Sequence, residues 1–165
     1  MKKSDYIVFD TETTGLFNDS QVIEIGAIKY HDHRVVDVFH EYINPYTQIP
    51  IRITQINGID NDMVDGCLGA DVIIPKFVEW VEDYSLIGHN VSFDMKMINQ
   101  ELLRLNMKKL QNTTIDTVTI ARMIFNLHNY KLETIKNYLG LSLTSHRAID
   151  DVEVTAAIYQ LYCQK

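Results

Sequence analysis

The chain has 165 residues, of which 46% are hydrophobic and 22% charged, and its formal net charge is −7. These values predict a single globular domain over residues 1–165 and exclude a disordered chain, and no apolar run approaches the roughly 20 residues that cross a bilayer. The excess of acidic residues argues against tight non-specific binding to a phosphate backbone, although bound divalent cations could still hold phosphate groups.

The cysteines and the N-terminal residues bear on location. Cys67 and Cys163 lie far apart and outside any zinc-binding spacing. We therefore expect neither a disulfide framework nor a zinc site, and we expect a reducing compartment, the cytoplasm. Residues 1–5 lead straight into an apolar run without a small-residue cleavage site, so no secretory signal and no membrane partner are expected.

The first half of the chain is predicted to be mostly β-structure. The apolar run 6–10 is typical of a strand that is buried on both faces. Segments 22–30 and 34–44 are rich in β-branched and aromatic residues and are separated by a short polar turn at 31–33. This pattern predicts a hairpin.

The second half alternates helical patterns with short apolar runs. Apolar residues at helical spacing predict helices over 71–83, 92–105, 116–125, 132–139 and 147–164. Short strands are expected at 85–88 and 113–115. Strands followed by alternating helices and strands predict an α/β domain, with a mixed central β-sheet flanked by α-helices.

The first candidate site lies at the end of the first predicted strand, in Asp10-Thr11-Glu12. Residues two apart on a strand point to the same side, so both carboxylates can face one ligand. Repulsion between them would raise the pKa of one unless a cation lies between them. Gly15 lets the backbone turn close to a ligand, which favours a binding site. The alternative interpretation of the two carboxylates is a solvated strand end without a ligand.

The second candidate is Asp94. Asn90 or Ser92 can cap the helix that follows, which places Asp94 near the first turn. A favourable interaction with the helix dipole would explain an acidic residue there. However, Asp94 shares a face with Ile98 and Leu102, and a carboxylate on a buried stripe is costly unless it is paired or binds a metal.

The third candidate is the segment from His146 to Asp151. A helix that starts near Arg147 aligns Asp151 with Val154 on a mainly apolar face. His146 then lies just before the helix, where a surface or capping role is the alternative. Because an imidazole can accept a proton near neutral pH, His146 beside a metal-binding carboxylate is a candidate general base.

Together these segments supply four carboxylates and one histidine: Asp10, Glu12, Asp94, Asp151 and His146. Hard oxygen ligands favour Mg²⁺ or Mn²⁺ over zinc. A site of this kind is suited to displacement at phosphorus with two metal ions, roughly 3.5–4 Å apart, that activate the nucleophile and stabilise the leaving oxygen.

The same three segments resemble the motifs of the DnaQ-like (DEDDh) exonucleases, the family of the epsilon proofreading subunit of bacterial DNA polymerase III. Residues 10–15 are similar to its first motif, residues 89–94 to its second and residues 146–151 to its third. The histidine five residues before the last aspartate is typical of the DEDDh branch rather than the tyrosine branch. The resemblance covers nearly the whole chain.

This resemblance implies an RNase H-like fold and a 3′→5′ exonuclease that uses two divalent metal ions. By position, Asp10, Glu12, Asp94 and Asp151 would hold the metals, and His146 would deprotonate the attacking water. The positions that hold the terminal nucleotide in relatives are occupied here by Thr13, Leu16, His89 and Phe93.

Two further positions follow from the resemblance. Asn57 stands where relatives usually have a histidine, so its contact with the substrate is expected to be weaker or different. Asp116 matches another aspartate that is common in the family. Because it opens a helical pattern, we expect it to cap that helix or support the site rather than to bind a metal.

Three functions remain open from sequence alone. The first is a DNA exonuclease of proofreading or repair type that acts on single-stranded or frayed 3′ ends. The form of the first motif at Thr11–Gly15 favours this interpretation. The second is an RNA 3′-end trimming enzyme of the oligoribonuclease or ribonuclease T type. The third is an inactive nucleic-acid-binding module, against which the intact acidic residues argue. A DNA polymerase is a possible partner.

Overall fold

A mixed β-sheet forms the centre of the molecule, which a computed structural model describes over residues 3–165. The strands are β1 (Tyr6–Thr13), β2 (Val22–His31), β3 (Arg34–Tyr42), β4 (Ser85–Gly88) and β5 (Thr114–Asp116). The helices are α1 (Ile51–Asn57), α2 (Asn61–Asp65), α3 (Ala70–Val81), α4 (Val91–Arg104), α5 (Thr117–Ile124), α6 (Leu132–Tyr138) and α7 (Ala148–Gln164).

The five strands lie in the order β3-β2-β1-β4-β5. Strands β1, β2 and β3 form an antiparallel meander, whereas β4 and β5 run parallel to β1. The predicted hairpin and the predicted mixed sheet are therefore confirmed. Each predicted helix of the second half is also present, with ends that differ from the prediction by at most two residues.

Strand β1 separates two hydrophobic layers. Ile7 and Phe9 pack with residues of α3 and α4 on one face, and Tyr6 and Val8 pack with residues of α5, α6 and α7 on the other. Successive side chains of a strand alternate between its faces, so an uninterrupted apolar run serves both layers. The expectation that this strand is buried on both faces is confirmed, since all four side chains are at most 1% exposed.

Two features differ from the prediction. Strand β1 continues beyond the apolar run to Thr13, so Asp10 and Glu12 lie within the strand rather than beyond it. The sequence patterns predict neither of the short helices α1 and α2. Helix α1 is rich in β-branched residues, which have low helix propensity. Helix α1 ends at Gly58, whose positive φ of 75° suits a residue without a Cβ atom.

Cys67 and Cys163 are not in a disulfide. Among the helices of residues 3–165, none combines the length and the apolar character that crossing a bilayer requires.

Candidate active site

Asp10 and Glu12 share the face of β1 that is covered by α7. On the neighbouring strand β2, Asp10 lies opposite Gly26 and Glu12 opposite Glu24. On its other side, β1 pairs with β4 only as far as Val8. The last part of β1 therefore extends beyond β4 and leaves room for a side chain from another element.

Asp94 fills that room from the opposite helical layer. Its Oδ1 accepts hydrogen bonds from the Thr11 backbone amide at 3.0 Å and from the Thr11 hydroxyl at 2.7 Å. Because Thr11 alternates with Asp10 and Glu12 along β1, it points toward α4, where Asp94 lies on the first turn. Asp94 is 3% exposed, so these bonds offset part of the cost of burying its carboxylate.

Asp151 reaches the site because α7 packs very closely against β2. A Cβ atom on Gly26 would lie 2.7 Å from the Ala148 carbonyl carbon and the Ile149 nitrogen, so only glycine allows this approach. Ligand oxygens of Asp10, Glu12 and Asp151 consequently lie within 4.8 Å of one another. Asp94 lies outside this group of three but lines the same cavity. We call these four residues the carboxylate cluster.

A further carboxylate, Glu24, was not singled out from the sequence. It is 1% exposed, and its Oε1 lies 2.8 Å from His40 Nε2. Its Oε2 accepts a hydrogen bond from the Ala148 backbone amide at 3.3 Å, at the first residue of α7. Glu24 therefore helps to hold the helix that carries Asp151. The sequence does contain a signal for this role, because Glu24 is the single acidic residue in the apolar segment 22–30 and acidic side chains are rarely buried without a partner.

The pKa values of the carboxylate cluster are raised far above those of ordinary acidic side chains. Burial, followed by repulsion from Asp94 and Glu12, raises the pKa of Asp10 well above its usual value. Burial, with repulsion from Asp151, raises the pKa of Glu12 to about 8. Burial also raises the pKa of Asp94 and that of Asp151 to about 7, although hydrogen bonds from Thr11 oppose the rise at Asp94. Such a cluster holds negative charge at neutral pH only at a large cost, which bound cations would remove.

His146 lies at the exposed edge of the same cavity, in the segment before α7. Its backbone adopts the left-handed conformation with φ of 61°, which is strained for a residue with a side chain. The neighbouring Ser145 accepts a hydrogen bond from Lys136 Nζ on α6. Within residues 3–165 the imidazole of His146 has no hydrogen-bond partner, so it is available to a bound molecule.

His89 is held on both sides of its ring. Its Nε2 donates to the Tyr130 carbonyl oxygen at 2.7 Å, and its Nδ1 lies 2.9 Å from the Thr117 hydroxyl. Burial lowers the pKa of His89, and the Thr117 hydroxyl also donates to the Gly88 carbonyl oxygen at 3.2 Å. His89 lines the cavity, but its nitrogens bind protein atoms, which leaves the ring face and edge for a substrate contact.

The other predicted substrate contacts are divided, because Thr13, Leu16 and Asn57 are not among the described residues that line the cavity. Phe93 lines the cavity. Asn57 is buried, and its Nδ2 lies 3.4 Å from Glu12 Oε2. Leu16 is 70% exposed, and the Thr13 hydroxyl donates to the Gly15 carbonyl at 2.6 Å, which stabilises the turn between them. The roles assigned to these residues stay predictions.

Asp116 supports the site from β5 without entering the carboxylate cluster. Its Oδ1 accepts from the Val118 amide at 2.9 Å, which caps α5, and from the Asn90 amide at 3.0 Å. The expected capping role is confirmed. Asn90 occupies the capping position of α4, but its side chain makes no capping hydrogen bond, and Asp116 holds its left-handed backbone instead.

The cavity that joins these residues has a volume of about 660 Å³. Beyond the carboxylate cluster and His146 its lining continues along α5 and α6, where it includes Arg122, Tyr130, Lys131 and Lys136. Clustered acids with raised pKa values, an accessible imidazole and an open cavity together suit metal-assisted hydrolysis.

The comparison with protein families agrees with this chemistry. The family model described as Exonuclease, of the ribonuclease T type, matches residues 7–159. The chain belongs to this exonuclease family. The assignment from the three motifs to the DnaQ-like 3′→5′ exonucleases is therefore confirmed, and so is the expectation that the chain is an enzyme of this type.

Relatives of this exonuclease domain include much longer proteins. It is 39% identical over 164 residues to the PolC-type DNA polymerase III of Clostridium perfringens, and 37% identical over 158 residues to that of Bacillus cereus. These alignments cover 98% and 94% of the chain, but 11% of each relative. The chain thus corresponds to one part of those polymerases.

Solved structures show the same fold. Exonuclease X in complex with 5′ overhanging duplex DNA superposes with a TM-score of 0.75 at 22% identity, over 96% of this chain and 91% of that chain. The zinc-bound complex of Escherichia coli exonuclease I with single-stranded DNA gives a TM-score of 0.88 at 18% identity, over 99% and 41%. The expected RNase H-like fold is confirmed.

Proposed function

We propose that this domain hydrolyses the terminal phosphodiester bond at the 3′ end of a single-stranded or frayed DNA strand and releases nucleoside 5′-monophosphates one at a time. The observation that carries the proposal is the approach of Asp10, Glu12 and Asp151 oxygens to within 4.8 Å, in a cavity that His146 also lines. Ionised carboxylates held this close favour a bound cation, and the open cavity admits a strand end.

The residues of the site fit two divalent metal ions, Mg²⁺ or Mn²⁺. Asp10 Oδ2 is buried and makes no hydrogen bond with residues 3–165, which suits an oxygen that binds a metal. Asp94 keeps Oδ2 for a ligand because Thr11 occupies Oδ1. Bound ions would activate a water molecule and stabilise the charge that develops on the phosphate oxygens and on the leaving 3′ oxygen.

The remaining steps depend on side chains. His146 accepts the proton of the attacking water, since its imidazole is accessible and free of internal hydrogen bonds. Glu24 and Gly26 hold the start of α7 and keep Asp151 in place. Asp116 fixes the backbone at Asn90, before the helix that carries Asp94.

The proposed substrate is DNA. The PolC-type relatives are DNA polymerases, and two structural neighbours were solved with DNA. At the terminal nucleotide we expect Leu16 and Phe93 to contact the base, and Thr13 and His89 to lie near the sugar. Apolar and aromatic side chains stack on any base, which favours an unpaired end. A DNA polymerase in the cytoplasm is the proposed partner.

One substrate series tests this function. Strands labelled at the 5′ end carry a free single-stranded end, a mismatched 3′ end, a matched 3′ end or a 3′ phosphate, with a single-stranded RNA of the same sequence alongside. We expect the single strand to be shortened fastest, then the mismatched and then the matched end, because unpairing costs least at a mismatch.

Three outcomes would contradict parts of the proposal. Equal rates on matched and single-stranded ends would remove the preference for unpaired ends. Cleavage within a closed circle would remove the exonuclease assignment. Faster shortening of RNA than of DNA would replace the substrate by RNA, the alternative that the sequence left open.

A further inference from the structure

The cavity contains a second group of charges that the proposed reaction does not use. Arg122 on α5, Lys131 just before α6 and Lys136 on α6 all line it, and we call these three residues the basic cluster. They are notable in a chain of net charge −7. Glu133 lines the same region, so three cations there face one carboxylate besides the carboxylate cluster.

The basic cluster forms no close ion pair within residues 3–165, although the charge of Lys136 is near enough to Asp151 to oppose the rise of its pKa. Among residues 3–165, none of its three side chains lies within 4.0 Å of a carboxylate oxygen. Lys136 donates to the Ser145 hydroxyl, and Arg122 lies 5.9 Å from the centre of the Tyr130 ring. Arg122 and Lys131 are exposed to solvent. Their charges are therefore available to an anion that enters the cavity.

The basic cluster is also fixed relative to the catalytic residues. His89, the first residue of the second motif, donates to the Tyr130 carbonyl at 2.7 Å and so ties the segment before α6 to the start of α4. The Tyr130 hydroxyl donates to the Phe125 carbonyl at 3.3 Å, and the Lys131 amide donates to Asn129 Oδ1 at 3.0 Å. These bonds hold Lys131 and the Tyr130 ring in a defined position.

We infer that the basic cluster binds phosphodiester groups of the DNA strand on the 5′ side of the bond that is cut. The inference rests on the proposed function. An exonuclease that removes one nucleotide leaves a single phosphate, the scissile one, at its metal ions. All further phosphates then lie on the 5′ side, so a second site for phosphate in the same cavity holds that part of the strand. Contacts of this kind fix position without reading sequence.

The test compares two pairs of substitutions that remove the same charge. Arg122→Gln with Lys131→Gln removes two cations of the basic cluster, and Lys76→Gln with Lys109→Gln removes two exposed cations elsewhere. Lys136 is left unchanged because it contacts Ser145, beside His146. The substrates are a dithymidylate with one phosphodiester and a hexathymidylate with five, both labelled at the 5′ end.

We expect the Arg122/Lys131 variant to raise the KM for the hexamer about tenfold, the effect of removing two modest ion pairs with phosphate, with kcat unchanged. The kcat/KM for the dimer should stay within about twofold, as should both substrates with the Lys76/Lys109 variant. The slope of log(1/KM) against log salt should fall by about 1.4 for the hexamer, because each phosphate that a side chain neutralises on a single strand contributes about 0.7 to that slope.

A neutral linkage identifies the phosphates that are bound. In single-turnover assays, a methylphosphonate at the second or third linkage from the 3′ end of the hexamer should raise the concentration of wild-type protein that gives half the maximal rate. The same linkage should have little further effect on the Arg122/Lys131 variant. An equal loss on dimer and hexamer, or an unchanged salt slope, would overturn the inference while leaving the exonuclease intact. Failure of the wild-type protein to shorten any strand would instead refute the proposed function.

Discussion

The carboxylate cluster and the basic cluster lie in one cavity but are built in opposite ways. Asp94 is buried, and Asp10 is half-buried with one buried oxygen. They are carried by α4 and β1, whose backbones are set by the core packed around them. Arg122 and Lys131 are exposed, on a short helix and on the segment that joins it to the next. The carboxylates are therefore largely shielded from water, whereas Arg122 and Lys131 remain hydrated.

This difference matches what each group is proposed to do. Metal ions and a reacting phosphate require oxygens at fixed positions, and buried side chains on regular elements provide them at the cost of raised pKa values. A strand that must advance after each cut needs contacts that form and break readily, which hydrated cations provide. Substitutions in the two groups should therefore differ greatly in effect.

The largest effect is expected in the carboxylate cluster. Asp10→Ala should lower the turnover number by on the order of 10²–10³-fold or more, because the charge that organises the reacting phosphate is lost. EDTA should abolish activity, and Mg²⁺ or Mn²⁺ should restore it. Asp83→Asn, at an exposed position, is the control. Wild-type turnover by Asp10→Ala would rule out the two-metal assignment.

His146 should come next, since it is exposed but acts on the reacting water. His146→Ala is expected to reduce the rate roughly 10²–10⁴-fold, the usual effect of losing a general base. Mn²⁺ binding, measured by calorimetry, should be largely retained. His31→Ala, at the β2–β3 turn, serves as the matched substitution. A loss of less than about threefold would remove the general-base role.

The pH dependence of stability gives a third test. The ordinary pKa values of Asp and Glu are 3.8 and 4.5, whereas burial raises those of Asp151 and Glu12 to about 7 and about 8 in the folded protein. Between these limits the unfolded chain binds fewer protons than the folded protein, so the stability of the metal-free protein falls as pH rises.

The metal-free protein should therefore melt at a lower temperature at pH 8 than at pH 5.5, by about 5 °C or more. Mn²⁺ should raise Tm more at pH 8 than at pH 5.5, because protonated carboxyl groups bind the ion poorly. Asp10→Asn removes one of the repelling charges and should flatten the pH dependence. Thermal denaturation followed by circular dichroism measures all three, and a metal-free Tm that rises toward pH 8 would contradict the account.

The smallest effect should come from Glu24, which supports the site through its hydrogen bond to α7 and through its charge opposite Glu12. Glu24→Ala is expected to lower kcat about tenfold, the lower end of the range for residues that support metal ligands. Glu24→Gln keeps an oxygen for the Ala148 amide and should retain more of the activity. Glu79→Gln, at an exposed position of α3, is the control. Identical losses of kcat in Glu24→Ala and Glu24→Gln would show that the hydrogen bond to Ala148 is not what matters.

The elements of this fold could mostly be predicted from local patterns. Apolar run 6–10 identified the central strand, and helical spacing identified α3 to α7. These patterns succeed because burial imposes a period of two on strands and about 3.6 on helices within a few residues. They failed for α1, where a β-branched composition favours strand and packing against distant residues decides otherwise.

The sequence alone determined which acidic residues to consider, because Asp10, Glu12, Asp94 and Asp151 each interrupt an apolar pattern or end one. Only the tertiary structure decided how they meet. Asp94 joins Asp10 from the opposite helical layer through Thr11, and Glu24 holds the helix of Asp151 through a contact between residues 124 positions apart. His89 likewise positions the segment before Lys131. Such contacts depend on how far β1 extends beyond β4 and on how closely α7 approaches Gly26. Both are set by packing between segments that are remote in sequence, which a local sequence pattern does not record.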